Sequence, residues 1–115
     1  MQVLLSWYQV SDFEAAKAFY GDVLGLKQVF EMDGWVEFSH ADGAAAIGLA
    51  RQTTDEKGAT VVLKVDNLDR ARDHLIARGV RFEGEIEEVS GVVRIATFRD
   101  PSGNRLQIIQ SDVAQ

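Results

Sequence analysis

The secondary-structure pattern of this 115-residue chain occurs twice, and this repetition constrains the fold more than any other feature. Each half contains one segment with the apolar spacing of a helix and four short segments with the apolar, β-branched composition of strands. The predicted strands are residues 3–10, 26–32, 35–40, 44–51, 60–65, 80–86, 92–99 and 105–110. The predicted helices are residues 13–24 and a segment that starts at Leu68 and ends at Gly79. Both halves therefore have the order β-α-β-β-β.

The two halves also align residue by residue around the starts of their helices. Placing Val10 on Val65, an offset of 55, brings Asp12 onto Asn67. Asp and Asn are favoured N-caps because their side-chain oxygens accept hydrogen bonds from first-turn amides. One such unit cannot bury both faces of its short sheet alone, so duplication and pairing of units follow. The sequence thus predicts one domain with module one at about 1–51, a polar linker at 52–58 and module two at about 59–115.

Composition fits a single globular domain and argues against several classes of protein. An apolar fraction of 46% and a charged fraction of 26% are ordinary for a folded domain. The net charge of −6 argues against a nucleic-acid partner, which rewards a basic surface. No apolar run approaches the ~20 residues that span a bilayer, and the N-terminal stretch lacks the basic flank of a signal peptide. Cysteine is absent, which is compatible with a reducing, cytoplasmic location.

Short motifs in both halves resemble, in their order and spacing, the vicinal oxygen chelate superfamily, which includes glyoxalase I, bleomycin-resistance proteins and extradiol dioxygenases. In the first half these motifs are Val10-Ser11-Asp12, Ala16, Phe19-Tyr20 and Val23-Leu24-Gly25-Leu26. In the second half they are Val65-Asp66-Asn67-Leu68, Arg78-Gly79-Val80 and Asp100-Pro101-Ser102-Gly103-Asn104. The resemblance implies an α+β fold in which two modules form a curved, partly open mixed sheet around a cavity, with the helices on the outer face.

Enzymatic members of this superfamily hold a divalent metal with His and Glu side chains on the first and last strands of each module. The corresponding positions in this chain are Leu5, Gly48, Thr60 and Gln107. None supplies the imidazole or carboxylate that such an ion needs in place of its lost water. The two histidines, His40 and His74, fall near a strand end and on a helix, and we interpret both as surface or shell residues. We therefore expect no metal and no cofactor.

Side chains alternate between the two faces of a strand, so the metal-ligand positions imply which neighbours line the cavity. The expected ligand contacts are Leu5, Trp7, Gln9, Trp35, Glu37, Gly48, Thr60, Val62, Lys64, Arg94, Phe98 and Gln107. Trp7 and Trp35 offer flat faces to a planar ligand, and Gly48 leaves space for it. Glu37 suits a cation, whereas Lys64 and Arg94 suit an anionic group.

A competing interpretation assigns these same side chains to structural roles. The two tryptophans would then belong to the core, Lys64 would be a solvated edge charge, and Glu37 and Arg94 would pair with each other or with solvent. Strand register decides between the interpretations, because a slip of one residue moves every side chain to the opposite face.

The resemblance and the absent metal donors together favour a metal-independent small-molecule binding protein. Drug-resistance members of the superfamily capture their ligand without chemistry, so a bleomycin-resistance-like, antibiotic-sequestering role with a planar or aromatic ligand is expected. Such members commonly complete the cavity with a second subunit, which predicts a homodimer. The alternatives are a glyoxalase- or dioxygenase-like metalloenzyme (a lyase, isomerase or dioxygenase) with relocated ligands, and an effector-sensing module.

Overall fold

The computed structural model describes residues 1–111, and its elements follow the predicted order. The strands are β1 (Gln2–Val10), β2 (Lys27–Met32), β3 (Trp35–Ser39), β4 (Ala46–Arg51), β5 (Thr60–Lys64), β6 (Phe82–Val89), β7 (Val93–Arg99) and β8 (Arg105–Ser111). The helices are α1 (Phe13–Ala18) and α2 (Leu68–Ala77), and a π-helical turn covers Phe19–Val23. The α+β class with two β-α-β-β-β modules is confirmed. Within residues 1–111, no helix has the length and apolar content needed to cross a membrane.

The first compact unit comprises Leu4–Ala59 and contains four strands in the order β2-β3-β4-β1. Strand β1 runs parallel to β4, whereas β2, β3 and β4 form antiparallel pairs. Helix α1 packs on one face of this sheet through a buried cluster of Phe13, Val36, Phe38 and Leu49. Because side chains alternate, the neighbours of these core residues along each strand lie on the opposite face.

The predicted helix over 13–24 is α-helical only as far as Ala18. Beyond it, the Leu24 amide donates to the Phe19 carbonyl at 2.9 Å, which is the wider i→i−5 pattern of a π-helix. This turn carries Tyr20, whose ring packs 6.0 Å from the Phe38 ring and whose hydroxyl bonds to that of Tyr8. The wider turn therefore brings an aromatic residue of the helical segment onto the core of the first unit.

The second compact unit comprises Met1–Val3 and the chain from Thr60 onward, with strands in the order β5-β8-β7-β6. Strand β5 runs parallel to β8, and the other pairs are antiparallel. Asn67 caps the start of helix α2, and its side chain accepts from the Arg70 amide at 2.9 Å as predicted for an N-cap. The buried residues beneath α2 are Val65, Leu68, Ala96, Phe98 and Ile108.

The turn between β7 and β8 is organised by one carboxylate. Asp100 accepts from the backbone amides of Ser102 and Asn104 and from the Asn104 side-chain amide, each at 2.9 Å. The Asn104 side-chain bond, followed by the backbone amides, holds the pKa of Asp100 below its ordinary value. Hydrogen bonds to a charged carboxylate favour the charged form, so ionisation of Asp100 stabilises the folded turn.

The Asp100 turn predicts an acid-dependent loss of stability. Because the folded pKa lies below the unfolded one, the stabilisation is complete above the unfolded pKa and is lost as the pH falls through the folded pKa. We expect the stability difference between the wild type and Asp100→Asn, measured by urea denaturation, to be largest near neutral pH and to shrink below about pH 4. A difference that stays constant from neutral pH into acid would contradict this role of the carboxylate.

Candidate ligand-binding surface

Strand register places six of the predicted contact residues on one face of the first unit, opposite α1. Trp7 pairs with Gly48 across β1 and β4, and Glu37 pairs with Gly48 across β3 and β4. Trp35 pairs with Ala50, also across β3 and β4. Paired residues share a face, and so do residues two apart on one strand. We call this surface the tryptophan face; its members are Leu5, Trp7, Gln9, Trp35, Glu37 and Gly48.

The two tryptophan rings contact each other, and their planes are not parallel. Their ring centroids are 5.6 Å apart with an interplanar angle of 67°, an edge-to-face arrangement. The Trp35 Nε1–H group donates to the Glu37 carboxylate at 2.8 Å. Both indoles are half-buried, so each keeps part of its surface accessible. Glu37 therefore orients Trp35, and Trp35 in turn packs against Trp7.

The space expected at Gly48 for a ligand is instead filled by protein, so this part of the prediction is wrong. A Cβ at residue 48 would lie 2.7 Å from two ring atoms of Trp35 and 2.9 Å from Cβ of Trp7. Gly48 is buried. Packing therefore accounts for the glycine, because the missing side chain lets the Trp35 ring lie directly on the strand. The accessible aromatic surface is consequently displaced outward from Gly48.

Gln9 lies on the tryptophan face but its amide is used by the linker. Its side-chain oxygen accepts from the Thr53 and Thr54 amides at 2.8 and 3.1 Å. Its side-chain nitrogen donates to the Thr54 hydroxyl at 2.8 Å and the Glu56 carbonyl at 3.0 Å. Gln9 thus fastens the linker to β1, and a ligand would have to break these bonds to use the amide.

Two residues of the same face were not predicted. Phe30 lies opposite Glu37 and Met32 lies opposite Trp35 across β2 and β3. They are 48% and 50% exposed, which adds accessible apolar surface beside the tryptophans. The signal was present in the sequence, because a two-residue turn at Asp33-Gly34 makes Met32 and Trp35 direct partners.

In the second unit, the face opposite α2 carries Thr60, Val62 and Gln107. Val62 pairs with Gln107 across β5 and β8. Thr60 and Val62 are 0% and 5% exposed, so they present almost no surface to a ligand. The Thr60 hydroxyl accepts from the Arg105 guanidinium, and the Gln107 side-chain amide donates to the Thr97 hydroxyl at 3.2 Å.

Lys64 is half-buried and lies at the end of β5. It lines a groove of about 790 Å³ in the second unit together with Asp66, Arg70 and His74 of the segment leading into and along α2. His74 is exposed on α2 and His40 is exposed just beyond β3. Both histidines therefore have the surface positions that the sequence predicts.

The predicted facing of Arg94 and Phe98 is wrong, because the register of β7 differs by one residue from the expected one. Thr97 is the residue opposite Gln107, so Arg94 and Phe98 fall on the α2 side. Phe98 is buried in the cluster beneath α2. Arg94 donates two hydrogen bonds to the Asp69 carboxylate of α2, at 3.0 and 3.2 Å, and these bonds lower the pKa of Asp69. Neither side chain faces the same way as Gln107.

The four positions that the family uses for a metal do not fit a divalent ion. Leu5 offers only an alkyl chain and is 7% exposed, and Gly48 has no side chain. The Thr60 hydroxyl already accepts from a cationic guanidinium, and the Gln107 amide nitrogen faces Thr97. Among residues 1–111, no three His, Asp or Glu side chains cluster closely enough to hold a metal. None of these four residues supplies an imidazole or carboxylate to replace the water that a divalent cation loses.

Comparison with known proteins identifies the family. The family model described as the Glyoxalase/Bleomycin resistance protein/Dioxygenase superfamily matches residues 3–108. The chain therefore belongs to this superfamily. No curated protein sequence matches it.

Solved structures show the same fold. A methylmalonyl-CoA epimerase from Mycobacterium tuberculosis is 21% identical with a TM-score of 0.79, covering 96% of this chain and 87% of that one. A superfamily member from Vibrio splendidus is 17% identical with a TM-score of 0.65, covering 93% and 96%. A Mn(II)-bound glyoxalase from Novosphingobium aromaticivorans is 30% identical with a TM-score of 0.70, covering 98% of this chain but 39% of that one.

Proposed function

We propose that this chain is a metal-independent protein that captures a small planar ligand on the tryptophan face without chemical change. A drug- or antibiotic-sequestering role, as in the bleomycin-resistance members of the superfamily, is the form of this function that we favour. The observation that carries the proposal is the donor chemistry of the four metal positions, Leu5, Gly48, Thr60 and Gln107. A homodimer, expected from the resemblance, stays part of the proposal.

The accessible aromatic surface of the first unit supports binding. Trp7 and Trp35 are half-buried, and Phe30 and Met32 are about half exposed on the same face. Covering roughly 200 Å² of apolar surface contributes about 5 kcal/mol before the cost of association is subtracted. We therefore expect apolar contact alone to give a dissociation constant no tighter than about 0.2 mM, so stronger binding requires polar or charged contacts as well. Lys64 and Gln107 stay proposed ligand contacts of the second unit, since each is partly accessible.

A metalloenzyme with relocated ligands is the second candidate. The likeness to a Mn(II)-bound glyoxalase at 30% identity favours it. Metal analysis separates the two candidates, because an enzyme of this kind would bind one divalent ion per chain. We expect protein incubated with Mn²⁺, Zn²⁺, Ni²⁺ or Fe²⁺ and then desalted to hold far less than one ion per chain. Stoichiometric metal that Gln107→Ala removes would replace our proposal with the enzyme.

Binding itself is tested by tryptophan fluorescence during titration with a panel of planar heteroaromatic compounds. We expect quenching or a spectral shift when a compound binds. The affinity of Phe30→Ala should be about tenfold lower, because the ligand loses its apolar contact with the Phe30 ring. Phe19→Ala is the matched control, since Phe19 is equally exposed at 48% but lies on the π-helical turn. No response from any compound, or equal losses in both variants, would count against binding at the tryptophan face.

A further inference from the structure

We propose that the ligand of the tryptophan face is an organic cation with an apolar, planar body, and that Glu37 determines this charge preference. The inference rests on the proposed function and adds to it the charge of the ligand. The sequence left both signs of charge open, because Glu37 suits a cation whereas Lys64 and Arg94 suit an anion. In the structure, Glu37 belongs to the first unit together with the tryptophans, whereas Lys64 and Arg94 belong to the second.

The charged groups on this face favour a cation. Within β1–β4, strand register places two ionisable side chains on the same face as the tryptophans, Glu37 and Lys27. Lys27 lies opposite Ser39 at the far end of the hairpin and is paired with Asp42 at 2.7 Å. Arg51, at the end of β4, is on the α1 face, where its guanidinium lies 5.2 Å from the Phe13 ring centre. Within β1–β4, the charge beside the aromatic surface is therefore the Glu37 carboxylate.

The two cationic side chains that the sequence offered to an anion have other neighbours in the second unit. Arg94 is bound to Asp69 on the α2 side of the second unit. Lys64 lines the groove beside Asp66 and Arg70 in that same unit. Both belong to the second unit, whereas within the first unit the charged neighbour of the aromatic surface is a carboxylate.

The geometry of Glu37 leaves it able to bind a cation. One of its two carboxylate oxygens accepts from Trp35 Nε1, and a carboxylate has further acceptor sites on both oxygens. That bond also fixes the side chain next to the ring, so binding does not have to order it. The indole faces carry a negative quadrupole, which attracts the same cation that the carboxylate attracts.

The apolar neighbours of Glu37 favour a cation that carries an apolar ring system. Phe30 lies directly opposite Glu37 on β2, and Met32 lies opposite Trp35. A small, strongly hydrated ion such as Na⁺ gains nothing from these apolar neighbours. An ammonium, amidinium or heteroaromatic cation with an attached ring system buries apolar surface and keeps its charge beside the carboxylate. The net charge of −6 adds a long-range attraction for such a ligand.

Three probes of one shape and different charge test the inference. Isothermal titration calorimetry with N-methylquinolinium, methylnaphthalene and naphthoate compares a cation, a neutral analogue and an anion. We expect the cation to bind most tightly, the anion most weakly, and added NaCl to weaken the cation selectively. Glu37→Gln, which keeps an acceptor for Trp35 Nε1, should weaken binding of the cation by about tenfold and weaken binding of methylnaphthalene much less. Glu85→Gln, an exposed site on β6, controls for the change in net charge.

The outcomes separate this inference from the proposed function. If all three probes bind equally, or if Glu37→Gln leaves the cation unaffected in a variant with wild-type thermal stability, the charge preference is wrong and the binding function stands. The same holds if Glu85→Gln weakens the cation as much as Glu37→Gln does. If no probe binds and no compound of the heteroaromatic panel changes the tryptophan fluorescence, the proposed binding function is wrong. The inferred charge preference is then wrong as well.

Discussion

Replacing Leu49 by Ala is expected to lower the free energy of unfolding by about 2–5 kcal/mol, the cost of deleting a large buried side chain and leaving a cavity. Leu49 is 0% exposed and lies in the cluster of Phe13, Val36 and Phe38 beneath α1. Its neighbours are held on two strands and a helix, so the cavity cannot close by a local shift. Urea denaturation followed by circular dichroism measures the loss.

Leu24→Ala provides the matched control for this effect. Leu24 is 51% exposed just beyond the π-helical turn, so its deletion removes few contacts. We expect it to cost less than about 1 kcal/mol. Equal losses for the two variants would mean that the buried cluster beneath α1 does not carry the stability assigned to it.

Gly48→Ala is expected to destabilise the chain by about 1–3 kcal/mol or more, although it adds only one methyl group. The new Cβ would lie 2.7 Å from two atoms of the Trp35 ring and 2.9 Å from the Trp7 Cβ. Trp35 is held by its bond to Glu37, so the ring can move away only by breaking that contact. The same variant should also change the tryptophan fluorescence spectrum, because the indoles are the groups displaced.

A double-mutant cycle identifies the clash as the cause. In a Trp35→Ala background the two 2.7 Å contacts with the ring are gone and the 2.9 Å contact with the Trp7 Cβ remains, so adding Gly48→Ala should cost less than it does in the wild type. Residues 47 and 49 face the other way, so their packing is the same in both backgrounds. If Gly48→Ala lowers the free energy of unfolding equally in both backgrounds, packing of the Trp35 indole on Gly48 is not the reason that glycine is required there.

The sequence predicted the first unit well because its strands are tied together by short turns. The two-residue turn at Asp33-Gly34 and the turn after Ser39 allow little freedom in pairing, so Phe38 pairs with Ile47 as expected. The α1 face and the tryptophan face then follow from alternation alone. The same logic would have found Phe30 and Met32.

The second unit shows where this reasoning fails. Strand β7 follows β6 through a turn at Ser90, which has a φ of 55, and Gly91, and the β6–β7 ladder contains an irregularity between Glu83 and Glu87. In the sequence, no turn fixed the pairing of β7 with a strand whose inward-facing residues were already assigned. The faces of Arg94 and Phe98 were therefore not determined. A slip of one residue was enough to place both on the wrong side.

Local sequence determined what each segment is: the order of strands and helices, their caps, the repetition of the pattern and the residue types at positions 5, 48, 60 and 107. These properties depend on residues close together in the chain, so a sequence shows them directly. Only the tertiary structure decided that Trp35 fills the space at Gly48, that Gln9 holds the linker and that Arg94 pairs with Asp69. Such contacts depend on register and side-chain volume across strands distant in sequence, where a shift of one residue or one methyl group reverses the result.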